Sequence, residues 1–278
     1  MSCWPETNPS RVLAGLYSAS AREYAELWAP VLQPTSERLI AAMGLAGSST
    51  VLDLGTGTGG LLAVLRAAAP EARVIGLDRA IGMLREARAR AANGPLAAMD
   101  LAHLGIRSSS VDAALLAFVL FLIPSPATAL AEVGRVLRPG GVMGCTSWGR
   151  GYDLPGTAIW TLELDRHGAG SDRKPDDVKQ DTLMDTTDKL GSLLEAAGLT
   201  TSSIWIERPE RRWTWPELLE LTSRYGATSR RLGTLDVPRR RECLERVRAA
   251  FAEMSAEELM YRPEMLLAVA SRPWSAYE

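Results

Sequence analysis

Apolar and polar positions along this chain switch between two periods, and the switching predicts an architecture. Val51-Leu-Asp-Leu54 is a short, mostly apolar run. A glycine-rich turn follows it, then Leu61, Leu62, Val64 and Leu65 at helical spacing. Arg73–Asp78 reads as a second strand, after which Ala80, Leu84, Ala87 and Ala91 line one face of a helix. Ala97–Asp100 is a third short strand ending in an acid. Val111–Ala117 is a fourth, almost wholly apolar, as suits a strand buried on both faces. Residues 131–141 read as a helix end and a turn, and Val142–Ser147 as a fifth strand. Strands that alternate with helices in this way predict a doubly wound, mostly parallel sheet.

The flanks carry weaker signals. Residues 1–10 are polar, hold two prolines and are expected to be poorly ordered. Residues 12–43 are helical in pattern, with Leu27, Val31, Leu39, Ile40 and Met43 apolar, and Pro30 and Pro34 are expected to break the stretch into at least two pieces. Between Trp148 and Lys189 the periodicity fades. Glycines punctuate this stretch and Ser171–Asp188 is polar and acidic, which predicts an inserted, mobile cover. Leu190–Ala197 is a helix ending at Gly198, and Thr201–Arg208 alternates like a strand. Asp236 and Pro238 open a helix that buries Cys243, Val247, Ala250, Phe251 and Met254, and Glu264–Ser271 is a last strand. No repeat is visible, and no boundary separates a second independent domain.

Composition narrows the field. The length of 278 residues suits one large domain or two small ones. A formal net charge of −2 gives no overall field favouring nucleic acid or acidic membranes. The longest apolar run, Ala113–Ile123, is too short to span a bilayer. Cys3, Cys145 and Cys243 lack metal-ligand spacing and suit a reducing cytosol, and the first residues lack a signal-peptide pattern. A cytoplasmic location is therefore expected.

The glycine turn carries the chemistry. Gly55, Gly57 and Gly60 fit the spacing of a dinucleotide site, in which pyrophosphate sits on a helix N-terminus. Gly55, Gly57 and Gly59, preceded by Asp53, equally fit the D-x-G-x-G-x-G pattern of S-adenosylmethionine (SAM) sites. Asp53 separates the two, because an anion there opposes pyrophosphate and suits a ligand bearing an ammonium and a sulfonium. Asp78, about twenty residues past the turn, is placed to accept from ribose hydroxyls.

Together with Val74–Arg79, Met99–Leu101, Val111–Pro124 and Glu132–Gly141, the turn makes the chain resemble the class I SAM-dependent methyltransferases. The likeness is to the small-molecule type that includes ubiquinone/menaquinone biosynthesis methyltransferases, and it runs over roughly residues 15–272. It implies a single α/β domain with a Rossmann-like, seven-stranded sheet, to which Glu264–Ser271 supplies an antiparallel strand. Residues 11–45 would be an N-terminal helical lid, 46–148 the SAM-binding core, 149–189 a lid insertion after the fifth strand, and 190–278 the completion of the sheet. The implied activity is methylation of a small organic molecule in specialised metabolism, with S-adenosylhomocysteine as product. An enzyme of this fold that keeps SAM as a scaffold for cyclisation or rearrangement, and a non-enzymatic binding protein, are the alternatives.

The same resemblance assigns residues. Asp53, Gly55, Thr56 and Gly57 would meet the methionine part of SAM, Asp78 the ribose, Arg79 and Met83 the adenine ring. Asp100 and Leu101 would meet the adenine amino group and edge, and Ala117, Phe118 and Leu122 would lie at the strand ends where ligands bind. Asp78 and Asp100 could instead simply cap helix starts. Tyr17 and Tyr24 belong to the lid, where an aromatic ring near a sulfonium gains a cation–π attraction. Phe121 and Leu122 stand where similar enzymes often carry a histidine pair, which makes the floor apolar. Tyr-Ala at 24–25 replaces a frequent Tyr-Asp. His167, Tyr24 and Trp148 are the candidate catalytic residues, while His103 is expected to face solvent. No metal is expected, since Asp176, Asp177, Asp181, Asp185 and Asp188 read as a solvated acidic loop. Arg239–Arg241 reads as a solvated helix face. The oligomeric state is not readable.

Overall fold

A computed structural model describes residues 9–90, 94–151, 153–172 and 181–274. Most of the disorder expected of residues 1–10, the helix position Ala91, and Asp176 and Asp177 lie outside these. The N-terminal region runs α1 (Pro9–Ala19), α2 (Ala21–Glu23), a π-helical turn (Tyr24–Trp28) and α3 (Ala29–Ala42). The core follows as β1 (Thr50–Leu54), α4 (Leu62–Ala68), β2 (Arg73–Asp78), α5 (Ile81–Ala89), β3 (Leu96–Ala98), β4 (Val111–Ala117), α6 (Pro126–Val136) and β5 (Leu137–Trp148). The remainder is α7 (Thr157–Arg166), α8 (Thr187–Ala196), β6 (Thr200–Glu207), β7 (Arg211–Arg212), α9 (Trp215–Arg224), α10 (Gly226–Leu232), α11 (Val237–Ala252), β8 (Met260–Tyr261) and β9 (Met265–Ser271).

Seven strands form one sheet in the order β3-β2-β1-β4-β5-β9-β6. The pairs from β3 to β5 are parallel, and β9 runs antiparallel to both β5 and β6. The strand order reverses between β1 and β4, so their carboxyl ends open a crevice, the usual ligand position in such sheets. β4 is buried along nearly its whole length, which explains its apolar sequence. Gly198 adopts φ +78° just past α8, as a helix-ending glycine does. Asp236 caps α11 by accepting from the Arg239 N–H, and Cys243, Val247 and Phe251 are buried beneath it.

Two expectations need correcting. Pro30 lies in the first turn of α3, where a missing N–H costs nothing, but Pro34 lies inside the helix without ending it. Leu39 and Ile40 are almost fully buried against the sheet, and that packing outweighs the one backbone bond Pro34 removes. The run Arg138–Gly141 is an irregular part of β5 rather than a turn before it, with Gly140 at φ +75° and the register against β4 shifting there. The stretch after Trp148 holds a firmly packed helix: Trp160 and Leu164 of α7 are about 1% exposed.

That helix belongs to a second hydrophobic cluster. Trp160 and Leu164 pack with Leu218, Leu221, Cys243, Val247 and Phe251 from α9 and α11. The Trp160 indole N–H donates to the Thr222 hydroxyl at 2.8 Å, which satisfies the one polar atom of a buried tryptophan. Leu27, Trp28 and Val31 of the N-terminal region also lean on this helical cap. The N-terminal helices therefore sit between the crevice and the cap.

Candidate cofactor site

The glycine turn is held by β2. The Gly55 and Thr56 N–H groups both donate to the Leu77 carbonyl, at 2.8 and 2.9 Å. Gly55 has φ +77°, and a Cβ there would fall 2.5 Å from a Val119 methyl carbon, so only glycine fits. Gly57 has φ +54° and lies under the ring of Tyr24, whose nearest carbon would be 3.7 Å from an added Cβ. The sequence thus bends the chain between a strand and a helix and brings its backbone close to the crevice.

Three acids surround this turn. Asp53, at the end of β1, is 1% exposed and accepts one hydrogen bond, from the Thr56 hydroxyl at 2.7 Å. Burial pushes its carboxyl up to about 7; the Thr56 bond opposes this and the neighbouring Asp78 adds to it. Asp78 ends β2 and accepts from the Gly57 and Ala80 N–H groups, each at 2.8 Å. Its carboxyl is also raised, with burial outweighing those two bonds. Asp100 accepts from the Ala102 N–H at 3.0 Å and from Arg79 Nη2 at 2.5 Å. Both Asp78 and Asp100 therefore do bind local backbone N–H groups, and each retains lone pairs for a further donor.

The walls are aromatic and apolar. Phe118 follows β4 at φ +53°, a conformation costing about 1–3 kcal/mol in a non-glycine residue, and its N–H donates to the buried Thr146 hydroxyl at 2.8 Å. Trp148 lies 5.0 Å from the Phe118 ring and 6.1 Å from Trp28, centroid to centroid. Ala117, Phe118, Asp53, Gly55, Thr56 and Tyr24 line one partly open cavity of about 50 Å³. Tyr24 meets Tyr17 and Tyr225 edge-on, at 6.2 and 5.7 Å, so the N-terminal helices and the cap touch directly above the turn. Burial raises the Tyr17 phenol to about 12 and those of Tyr24 and Tyr225 as well, so all three are neutral at physiological pH.

Other sequence-derived candidates fall elsewhere. Met83 is buried beside Ala21 and Ala80, with Tyr17 packed against them. Leu101 belongs to the main core. Leu122 is half-buried in a single 3-10 turn, and neither it nor Phe121 lines the cavity. His103 is exposed. His167 sits at the end of α7 in the cap, with Nδ1 2.7 Å from the Glu163 carbonyl and Nε2 3.8 Å from Glu242, away from the turn. Among the described residues no group of acids, cysteines and histidines is arranged to hold a metal. Sequence reasoning missed Gln33, Ser36, Thr58 and Tyr225. The one signal for the first two was polarity on an otherwise apolar face of α3, where Ser36 is 2% exposed.

The residues present fit a cationic nucleoside ligand such as SAM. A dehydrated carboxylate with a single donor, a close backbone turn and aromatic walls favour positive charge. Pyrophosphate would meet Asp53 and Asp78 with like charge.

Comparison with known proteins agrees. Residues 52–145 match the family described as Methyltransferase domain. The ubiquinone/menaquinone biosynthesis C-methyltransferase UbiE of Syntrophotalea carbinolica is 35% identical over 106 residues, covering 37% of this chain and 45% of that protein. The trans-aconitate 2-methyltransferase of Azoarcus sp. is 38% identical over 117 residues, 42% of this chain and 46% of that protein. The chain thus spans less than half the length of these curated relatives. A chain from the solved complex of the Haloferax volcanii Trm112 methyltransferase activator superposes with a TM-score of 0.56 at 20% identity, covering 94% of this chain and 97% of that one. Residues 52–145 of this chain match the methyltransferase-domain family, and the chain as a whole has the Rossmann-like methyltransferase fold.

Proposed function

We propose that this chain binds SAM in the crevice between β1 and β4 and methylates a small organic molecule. The observation that carries the reading is Asp53, a buried carboxylate with one hydrogen-bond donor at the foot of the glycine turn. A bound cation would restore the interaction that burial removes. Asp53, Gly55, Thr56 and Gly57 would hold the methionine part, Asp78 the ribose, and Arg79, Met83, Asp100 and Leu101 the adenine. SAM supplies an activated methyl group. Ala117, Phe118 and Trp148 exclude water and position an acceptor. Tyr17 and Tyr24 cover the cofactor from the N-terminal side. None of the three phenols is ready to take a proton, and His167 is engaged in the cap, so the site works chiefly by positioning. That suits an acceptor that is already nucleophilic. The two relatives carry different acceptors in their names, so the acceptor is argued from this site alone.

The reading extends to one functional domain, with residues 11–45 as cover and the helical cap as its outer wall. It places the protein in the cytoplasm and in specialised metabolism; buried, free Cys145 and Cys243 suit a reducing compartment. Calorimetric titration with SAM, S-adenosylhomocysteine and NAD is the first test. SAM and its product should bind, and NAD should not. Binding of NAD without a response to SAM would overturn the reading. With an acceptor in hand, label from the methyl of SAM should appear in the product; SAM-dependent turnover without label would make the protein a cyclase or isomerase instead.

A further inference from the structure

One hollow is not used by the site described above. It has a volume of about 290 Å³ and is bounded by Ala29 and Gln33 of α3, Thr58 and Gly60 of the glycine turn, and Arg66 and Arg90. The volume is at the lower end of small-molecule pockets, which begin near about 300 Å³. Ala29, Gln33, Thr58 and Gly60 also line the cavity that holds Asp53, so the two spaces share a wall of four residues.

The charge of this hollow is unbalanced. Arg66, on α4, is half-buried, and its guanidinium has no hydrogen bond or ion pair among the described residues. Arg90 gives its Nε–H to Glu86 at 2.7 Å, which leaves its terminal N–H groups. Gln33 donates to Glu37 at 2.7 Å, and among the described residues no acid lines the hollow itself. Comparable arginines in this protein are matched: Arg135 holds Glu132 and three other oxygen acceptors, and Arg230 holds Asp172 with two bonds. A partly dehydrated guanidinium without a counter-charge is costly, and its planar fork matches a carboxylate with two parallel bonds.

We propose that this hollow binds a carboxylate group of the acceptor, with Arg66 as its main ligand and Arg90 as the second. The anion site stands on the geometry alone; its assignment to an acceptor rests on the methyl-transfer reading. Glu86 already shares the charge of Arg90, so the remaining positive charge suits a carboxylate better than a phosphate dianion. The acceptor is then an organic acid whose reacting end passes the shared wall toward Ala117 and Phe118.

Calorimetric titration of the chain saturated with S-adenosylhomocysteine tests this, using succinate, its uncharged dimethyl ester and inorganic phosphate as probes. Succinate should bind saturably, and the ester and phosphate should not. Arg66→Gln should weaken succinate binding at least tenfold, Arg66→Lys less, and Arg90→Gln by a smaller factor. Affinity for S-adenosylhomocysteine should stay within twofold in each, which also shows that the variants are folded. No saturable succinate binding, equal binding by Arg66→Gln, or tighter binding of phosphate would overturn the proposal. So would a tenfold loss of S-adenosylhomocysteine affinity in Arg66→Gln, which would give the guanidinium to the cofactor. Failure of the unaltered chain to bind S-adenosylhomocysteine sinks the methyl-transfer reading instead, and the succinate titration without it then judges the anion site alone.

Discussion

Asp53 concentrates the physics of the site in one carboxyl group. In the free chain it ionises near 7, and an ordinary aspartate does so near about 3.9. A cationic ligand favours the ionised form, so binding below about pH 7 expels a proton. Affinity for SAM should therefore rise with pH, by at most about tenfold per unit, and level off above about 7. The free chain follows the opposite course. A carboxyl raised on folding contributes stability below its unfolded pKa and loses it as pH rises through the folded one, so stability should fall toward pH 7, with Asp78 acting in the same direction. Calorimetry from pH 5 to 8 in buffers of different ionisation enthalpy measures the released proton directly. Asp53→Asn should abolish the slope and weaken binding throughout; a flat profile in the unaltered chain would contradict this account. Asp53, Gly55 and Gly57 were legible in the sequence because their conformations and spacing are local. Gln33 and Tyr225 were not, because packing alone brings them to the turn.

At the level of elements, the turn from Tyr24 to Trp28 is the decisive piece. Its π-helical hydrogen bonding is uncommon and tends to occur where a helix must adjust to a site. It holds the Tyr24 ring over Gly57, and the cavity beside Asp53 measures only about 50 Å³. A nucleoside ligand is larger than that space, so this cover is expected to move when one binds. Hydrogen exchange should be fast over residues 20–36 in the free protein and slow markedly when S-adenosylhomocysteine is added. Protection of these residues without ligand would identify a fixed wall and require another entrance. By contrast, α1 should stay protected, because a Cβ at Gly82 would collide with the Ser18 backbone, so closely does α1 lie on α5. The strands of the sheet were readable from periodicity, with β2 and β4 matching residue for residue. The continuity of α3 through Pro34 was not, since it depends on burial of Leu39 and Ile40 and not on any local preference. Helix α7 was hidden for a similar reason: flanking glycines masked a helix whose apolar partners lie more than fifty residues downstream.

Across the whole molecule, two hydrophobic clusters are joined through the N-terminal helices. Phe251 is fully buried at the centre of the smaller one, edge-on to Trp160 at 6.3 Å. Phe251→Ala should cost about 3–5 kcal/mol in urea unfolding, the usual range for emptying such a position. Binding of S-adenosylhomocysteine should weaken as well, because Tyr225 of the cap meets Tyr24 over the turn. A loss below about 1 kcal/mol, or unchanged binding, would show that the cap is neither well packed nor coupled to the site. The position of β9 also sets the order of assembly. It is paired on one side with β5 and on the other with β6, although both are made before it. During synthesis β5 therefore presents an open edge, and β6 has no partner, until residues 265–271 leave the ribosome and slide between them. Those seven residues act as the keystone of the sheet. A nascent chain waiting for them exposes an unpaired strand edge to its neighbours, so aggregation should be strongest before residues 265–271 have paired.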